Sequence, residues 1–157
     1  LGRAGIMIEV PAAALTAEHI LPRVDFVSVG TNDLTQYTYA ADRMHGGVAE
    51  LNDHWQPGVS RLIEMVGRAG AETATPVGVC GEAAADAAFA AVLVGLGVRS
   101  LSMAPSMLAT VDTALATVSL DECRSMAKTV LAAQSAASAR EQARRLAPAL
   151  HQALLDE

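Results

Sequence analysis

Four short apolar runs, each followed by a stretch of helix-forming composition, constrain the fold of this chain more than any other feature. GIMIEV (5–10), FVSV (26–29), PVGVC (76–80) and SLSM (100–103) read as strands, the first one apolar and partly β-branched like a strand buried on both faces. Residues 12–20, 56–68 and 86–96 read as helices, and Val59, Leu62, Ile63 and Val66 form one apolar face of the second. Strand–helix alternation implies parallel strands joined by helical crossovers. Four such units make either a small open sheet or half of an eight-stranded barrel. In both, the residues that end the strands gather on one rim, where such folds place their chemistry. The first and fourth strands of a half-barrel are open edges, and open edges recruit partners, so the chain is expected to dimerise.

Helical structure is expected from Pro105 to the end. SLDE (119–122) is a capping-box pattern that starts a new helix near Leu120, and 134–156 reads as a helix bent near Pro148. A length of 157 residues suffices for one domain. Aromatic residues make up only 3% of it, so the core must be built from Ala, Val, Leu, Ile and Met. A formal charge of −6 with no basic stretch argues against a nucleic-acid partner. No apolar run approaches the roughly 20 residues of a membrane span. Cys80 and Cys123 lie far apart with no secretory leader before them, and read as reduced thiols of a cytoplasmic protein. Leu1 is not a start methionine and a strand follows almost at once, so the chain reads as cut from something longer.

The chemistry-bearing residues cluster at strand ends. Glu9 lies between Ile8 and Val10 in the first apolar run, where a charge costs several kcal/mol unless it is paired or bound to a metal. Asp33 stands at the equivalent end of the second strand, in VSVGTNDLTQYTYAADR (27–43). Carboxylates on adjacent strand ends can share a magnesium ion, which needs only one or two of them. The same residues also allow a structural ion pair at Glu9 and a helix cap at Asp33, with the helix opening at Leu34. Arg43 has the fork geometry for a phosphate or carboxylate, or pairs with Asp42 on the surface. Cys80, followed by Gly81 and Glu82, is a nucleophile, a proton donor or a small buried hydrophobe. Cys123 falls in a late helix and reads as buried. His19, His45, His54 and His151 show no metal or triad spacing, and Trp55 reads as a packing anchor.

Taken together, GIMIEVPAAA, VDFVSVGTNDLTQYTYAADR, GVCGEAAAD and VGLGVRSLSMAPS resemble the phosphoenolpyruvate-utilising enzymes. GTNDLTQ and CGE are common to that family, including pyruvate phosphate dikinase and phosphoenolpyruvate synthase. QYTYAADR and the SLSM ending resemble the Enzyme I branch, which serves the bacterial sugar phosphotransferase system. The similarity runs from about Gly5 to the late helices.

The resemblance implies that 1–157 is the C-terminal half of a (βα)8 barrel, four βα units followed by extra C-terminal helices, within a phosphoenolpyruvate-binding domain. It implies Mg2+ on Glu9 and Asp33. It places the substrate phosphate on Asn32, the Asp33 backbone and Arg43, and makes Cys80 the acid that protonates the methylene carbon as enolpyruvate becomes pyruvate. It also implies a cytoplasmic homodimer, and a phosphocarrier protein reached through an N-terminal phosphohistidine region that this sequence does not contain. By itself the chain is expected to be inactive. A half-barrel of a dikinase or synthase, and a dimerisation module without catalysis, stay open. The excursion LNDHWQPGV departs from relatives, which more often carry a Tyr- or Pro-rich version there.

Overall fold

A four-stranded parallel sheet, in the order β1–β2–β3–β4, lies at the centre of the computed structural model, which describes residues 2–42, 44 and 46–153. The strands are β1 (Gly5–Ile8), β2 (Phe26–Gly30), β3 (Val77–Cys80) and β4 (Ser100–Ser102). Each starts within a residue of its expected position. The chain is thus an α/β fold with parallel strands and helical crossovers, as the alternation requires.

One face of the sheet is packed. Ile8, Val27, Val29, Val77 and Val79 are each at most 1% exposed, and they form its buried side. Helix α4 (Pro57–Thr73) covers part of that side with Val59, Ile63 and Val66, the face that its periodicity predicts. The opposite face is open: Met7 is 49% and Phe26 39% exposed, and Ser100 and Ser102 lie on the same side. This corrects the expectation that the first strand is buried on both faces, since only Ile8 of β1 is buried. Uninterrupted apolarity reports that a strand is suited to burial, not that a covering layer is at hand.

Local polar residues set the helix boundaries. The helix anticipated at 12–20 is two, α1 (Pro11–Leu15) and α2 (Ala17–Ile20), separated at Thr16, whose hydroxyl donates to the Ala12 carbonyl at 2.8 Å. The one anticipated at 86–96 is α6 (Ala87–Gly95), capped by the extended Asp86, and a short helix that was not anticipated, α5 (Glu82–Ala85), precedes it. Helix α3 (Thr31–Tyr39) starts directly from β2, with Gly30 as its cap residue; Asp33 therefore sits inside the first turn rather than before it.

The late helices are α7 (Leu108–Ala116), α8 (Leu120–Ala132), α9 (Ala136–Leu146) and α10 (Pro148–Ala153). The capping box at the start of α8 is formed: Glu122 N–H donates to Ser119 Oγ at 3.3 Å and Ser119 N–H to Glu122 Oε2 at 2.8 Å. The break between α9 and α10 falls at Ala147, one residue before Pro148. Among the described residues no helix is long and apolar enough to cross a membrane.

Candidate functional site at the carboxyl ends of the strands

Register sets the rim. Ile8 pairs with Val29, Gly30 with Cys80, and Cys80 with Ser102. In-register neighbours of a parallel sheet face the same way, so Glu9 (one residue past β1), Gly30, Cys80 and Ser102 run as one transverse row on the open face. Glu9 is half-buried, and its side chain lies across Gly30. A Cβ placed at Gly30 would overlap the Glu9 carboxylate, with Cγ at 2.8 Å and Cδ at 3.0 Å. Glycine at this position opens the space into which Glu9 folds, beside the first turn of α3.

Asn32 and Asp33 occupy that first turn, both half-buried. Asn32 Oδ1 accepts from the backbone N–H of Glu82 at 3.2 Å, across the gap to the next strand end. With its oxygen so engaged, the amide keeps its N–H groups as donors for a ligand on the rim. Asp33 carries its charge at a helix N-terminus, where the dipole favours it.

Cys80 is the last residue of β3 and is partly exposed. Its thiol donates to the Val29 carbonyl at 3.6 Å, and its own carbonyl accepts from the Thr31 hydroxyl at 2.9 Å. Gly81 follows at φ +93°, in the left-handed region, and a Cβ there would stand 2.8 Å from Thr31 Oγ1 and 2.9 Å from Asn32 Oδ1.

The rim thus gathers Glu9, Asn32, Asp33 and Cys80. Arg43 lies outside the described residues, as does His45. His19 is exposed beside Glu18, with Nε2 3.6 Å from Glu18 Oε1. Cys123 is buried in α8, as its sequence reads; burial pushes its thiol up, with the Glu122 charge adding to the effect. A cleft of about 280 Å³ lined by Arg3, Phe26, Pro76 and Ser100 lies at the amino ends of the strands, away from this rim.

Behind the rim is a polar cluster that spacing did not reveal. Asp86 collects four donors: His54 Nε2 at 2.9 Å and Trp55 Nε1 at 2.7 Å on one oxygen, and Ala88 N–H and Phe89 N–H at 3.0 Å on the other. Burial pushes its carboxyl up, but the bonds from His54, Trp55 and Phe89 outweigh that and hold it below the ordinary aspartate range. Trp55 is buried, as expected of an anchor, and packs edge-on against Phe89 at 4.8 Å. The only advance signal was an aspartate before an alanine-rich helix, the usual cap residue. Thr31 gave no signal: a threonine in a helix's first turn looks the same whether it points to solvent or to another strand.

Glu9 and Asp33 suit magnesium in kind. Both offer hard oxygen, and Glu9 has a space cleared for it by a glycine. Among the described residues no three acidic, histidine or cysteine side chains converge.

Comparison with known proteins shows the family of the chain. The profile of the PEP-utilising enzymes, described as PEP-binding domain, matches residues 2–120. The chain belongs to that family. Among curated relatives it is similar to the phosphoenolpyruvate-protein phosphotransferase of Streptomyces coelicolor, 48% identical over 87% of this chain and 24% of that protein. The protein of that name from Haloferax volcanii is 43% identical over 87% of this chain and 24% of its own length. The multiphosphoryl transfer protein of Rhodobacter capsulatus is 46% identical over 87% of this chain and 16% of its own length. The chain therefore spans a quarter or less of the length of these relatives.

Proposed function

We propose that this chain is the phosphoenolpyruvate-binding part of a phosphoenolpyruvate-protein phosphotransferase, the C-terminal half of a (βα)8 barrel with extra helices. The observation that carries the reading is the single transverse row of Glu9, Gly30 and Cys80, with Asn32 and Asp33 on the adjoining helix turn. This row lies in a chain of the family whose named relatives perform that transfer. The open sheet face with Met7 and Phe26 supports a barrel interior awaiting its other half. Both β1 and β4 are edge strands, which supports association as a homodimer. A cytoplasmic location is part of the same reading.

In this reading Glu9 and Asp33 hold magnesium, which when bound neutralises charge on the phosphoryl oxygens. Asn32 donates its amide N–H to the phosphate, held at the right angle by the Glu82 N–H behind it. Arg43 supplies a guanidinium to the same group. As the phosphoryl group leaves for an acceptor histidine elsewhere in the enzyme, the O–P bond breaks and an enolate remains. Cys80 then gives its S–H proton to the methylene carbon, a C–H bond forms, and the enolate oxygen becomes the carbonyl of pyruvate. Water reprotonates the thiolate. Phosphoryl transfer of this kind is mostly positioning and charge stabilisation. These 157 residues by themselves are expected to release no pyruvate.

A graft tests the reading. The corresponding segment of the Streptomyces coelicolor phosphotransferase is replaced by this chain, and pyruvate release is followed with phosphoenolpyruvate, magnesium and a phosphocarrier protein. Magnesium-dependent turnover is expected. A folded chimera that binds no phosphoenolpyruvate would refute the assignment.

A further inference from the structure

We infer that Thr31 is a positioning residue: its buried hydroxyl fixes the Cys80 thiol at a set distance from the Asn32 amide. The inference rests on the reading of the rim given above.

In phosphoenolpyruvate the carbon that receives the proton and the oxygen that carries the phosphoryl group are bonded to the same sp2 carbon, so these two atoms stand at a fixed separation. A site that serves both must hold its proton donor and its phosphate donors equally fixed. Here they come from different strands, Cys80 from the end of β3 and Asn32 from the turn after β2. Ladder bonds end at that point, with Gly30 opposite Cys80. Beyond it, the two strand ends are joined by side chains.

Three links span the gap. Thr31, fully buried, donates its hydroxyl to the Cys80 carbonyl at 2.9 Å. The Cys80 thiol donates to the Val29 carbonyl at 3.6 Å. The Glu82 N–H donates to Asn32 Oδ1 at 3.2 Å. Gly81 stands between them with no room for a Cβ, which would press on Thr31 Oγ1 at 2.8 Å and Asn32 Oδ1 at 2.9 Å. The second and third links involve the reacting residues themselves. Thr31 is the one that has no part in the chemistry, since its hydroxyl is turned inward and shielded from any ligand. Its backbone carbonyl is engaged as well, by the Thr35 hydroxyl at 2.7 Å. Thr31 is therefore held from below and holds Cys80 above.

The test uses the 157-residue chain and the alkylation of Cys80 by iodoacetamide across pH, with buried Cys123 as an internal control. Thr31→Val removes the donor and keeps the shape. It is expected to change the Cys80 alkylation rate by about fivefold, the factor one hydrogen bond is worth, and Thr31→Ser to restore it. Phosphoenolpyruvate with magnesium is expected to slow alkylation in the wild type and in Thr31→Ser. In Thr31→Val the same ligand, followed by NMR titration, still binds but no longer protects the thiol.

Alkylation rates and pH profiles that are the same in wild type and Thr31→Val would overturn the inference. If Thr31→Val alters the Cys80 rate while the wild type neither binds nor is protected by phosphoenolpyruvate, the positioning link stands and the substrate assignment falls. Should Thr31→Val fail to fold, the wild-type Thr31 hydroxyl proton decides. Exchange as fast as that of exposed Thr113 overturns the link, and slow exchange with a coupling to the Cys80 carbonyl supports it.

Discussion

Arg140 in α9 grips Asp53 with two parallel bonds, Nη1 and Nη2 each 2.9 Å from a carboxylate oxygen, and its guanidinium lies 5.4 Å over the ring of Trp55. A helix beyond the part of the chain that the family profile matches thereby fastens the excursion after α3. The same carboxylate accepts the Trp55 N–H at 2.9 Å, and Asn52 donates to the Ala41 carbonyl at 2.9 Å, which closes the excursion on itself. A bidentate arginine pair with a ring beneath it is worth more than an ordinary surface pair. Arg140→Leu should lower stability by roughly 1–2 kcal/mol, and Arg140→Lys should recover only part of it, because an ammonium cannot bond both oxygens in a plane. Trp55, the sole tryptophan, makes its fluorescence a local probe. A chemical-denaturation midpoint for Arg140→Leu equal to that of the wild type would show that the pair contributes nothing.

Asp86 is the most heavily bonded carboxylate at the rear of the rim. All four of its partners donate, so an amide cannot replace it: whichever way Asn is turned, its NH2 faces N–H groups. Asp86→Asn should cost about 2–4 kcal/mol, from charge-assisted bonds lost and donors left unpaired. The sign of the pH effect follows from its lowered pKa. The folded chain holds the ionised form better than the unfolded chain does, so this stabilisation is complete above the ordinary aspartate range. It disappears as pH falls through the depressed folded value. Wild type should therefore lose stability on acidification more steeply than Asp86→Asn, measured by thermal melts across the acid range; parallel curves would exclude Asp86 as the source.

Gly95, at the end of α6, lets α8 approach to backbone contact. A Cβ there would overlap the Cys123 carbonyl group and stand 2.9 Å from the Ala127 methyl. The obstacle is main chain and cannot swing aside. Gly95→Ala should destabilise the chain by about 2–4 kcal/mol despite alanine's better helix propensity, which on an open surface would gain about 1 kcal/mol. A melting temperature at or above wild type would mean that the helices separate at little cost.

The rim makes a kinetic prediction in the chimeric phosphotransferase. Cys80→Ala should slow pyruvate formation by about 10²–10⁴-fold, the usual cost of a missing general acid, with phosphoenolpyruvate binding retained. Glu9→Gln should instead raise the magnesium concentration needed for activity, since an amide keeps the shape and loses the charge. Wild-type turnover in the first would remove Cys80 from the proton transfer. An unchanged magnesium dependence in the second would take Glu9 off the metal.

The sequence by itself determined the alternation of strand and helix, the parallel sheet that follows from it, and the place of Glu9, Asn32, Asp33 and Cys80 at the strand ends. These depend on local patterns: apolar runs, a 3.6-residue stripe on α4, the capping box at Ser119 and Glu122, and the motifs that end β2 and β3. Each can be read in a window of a few residues because the physics behind it acts over a few residues. Only the tertiary structure decided how the rim is held together. Thr31 meets Cys80 across 49 positions, Asp53 meets Arg140 across 87, and His54 meets Asp86 across 32. The same threonine or aspartate suits solvent as well as a distant partner, and a short-range pattern does not distinguish the two. Burial of β1 was misread for the converse reason. An apolar strand announces what it would bury, but the layer that covers it belongs to other parts of the chain or to another chain, and only their arrangement in space decides whether Met7 meets them or stays exposed.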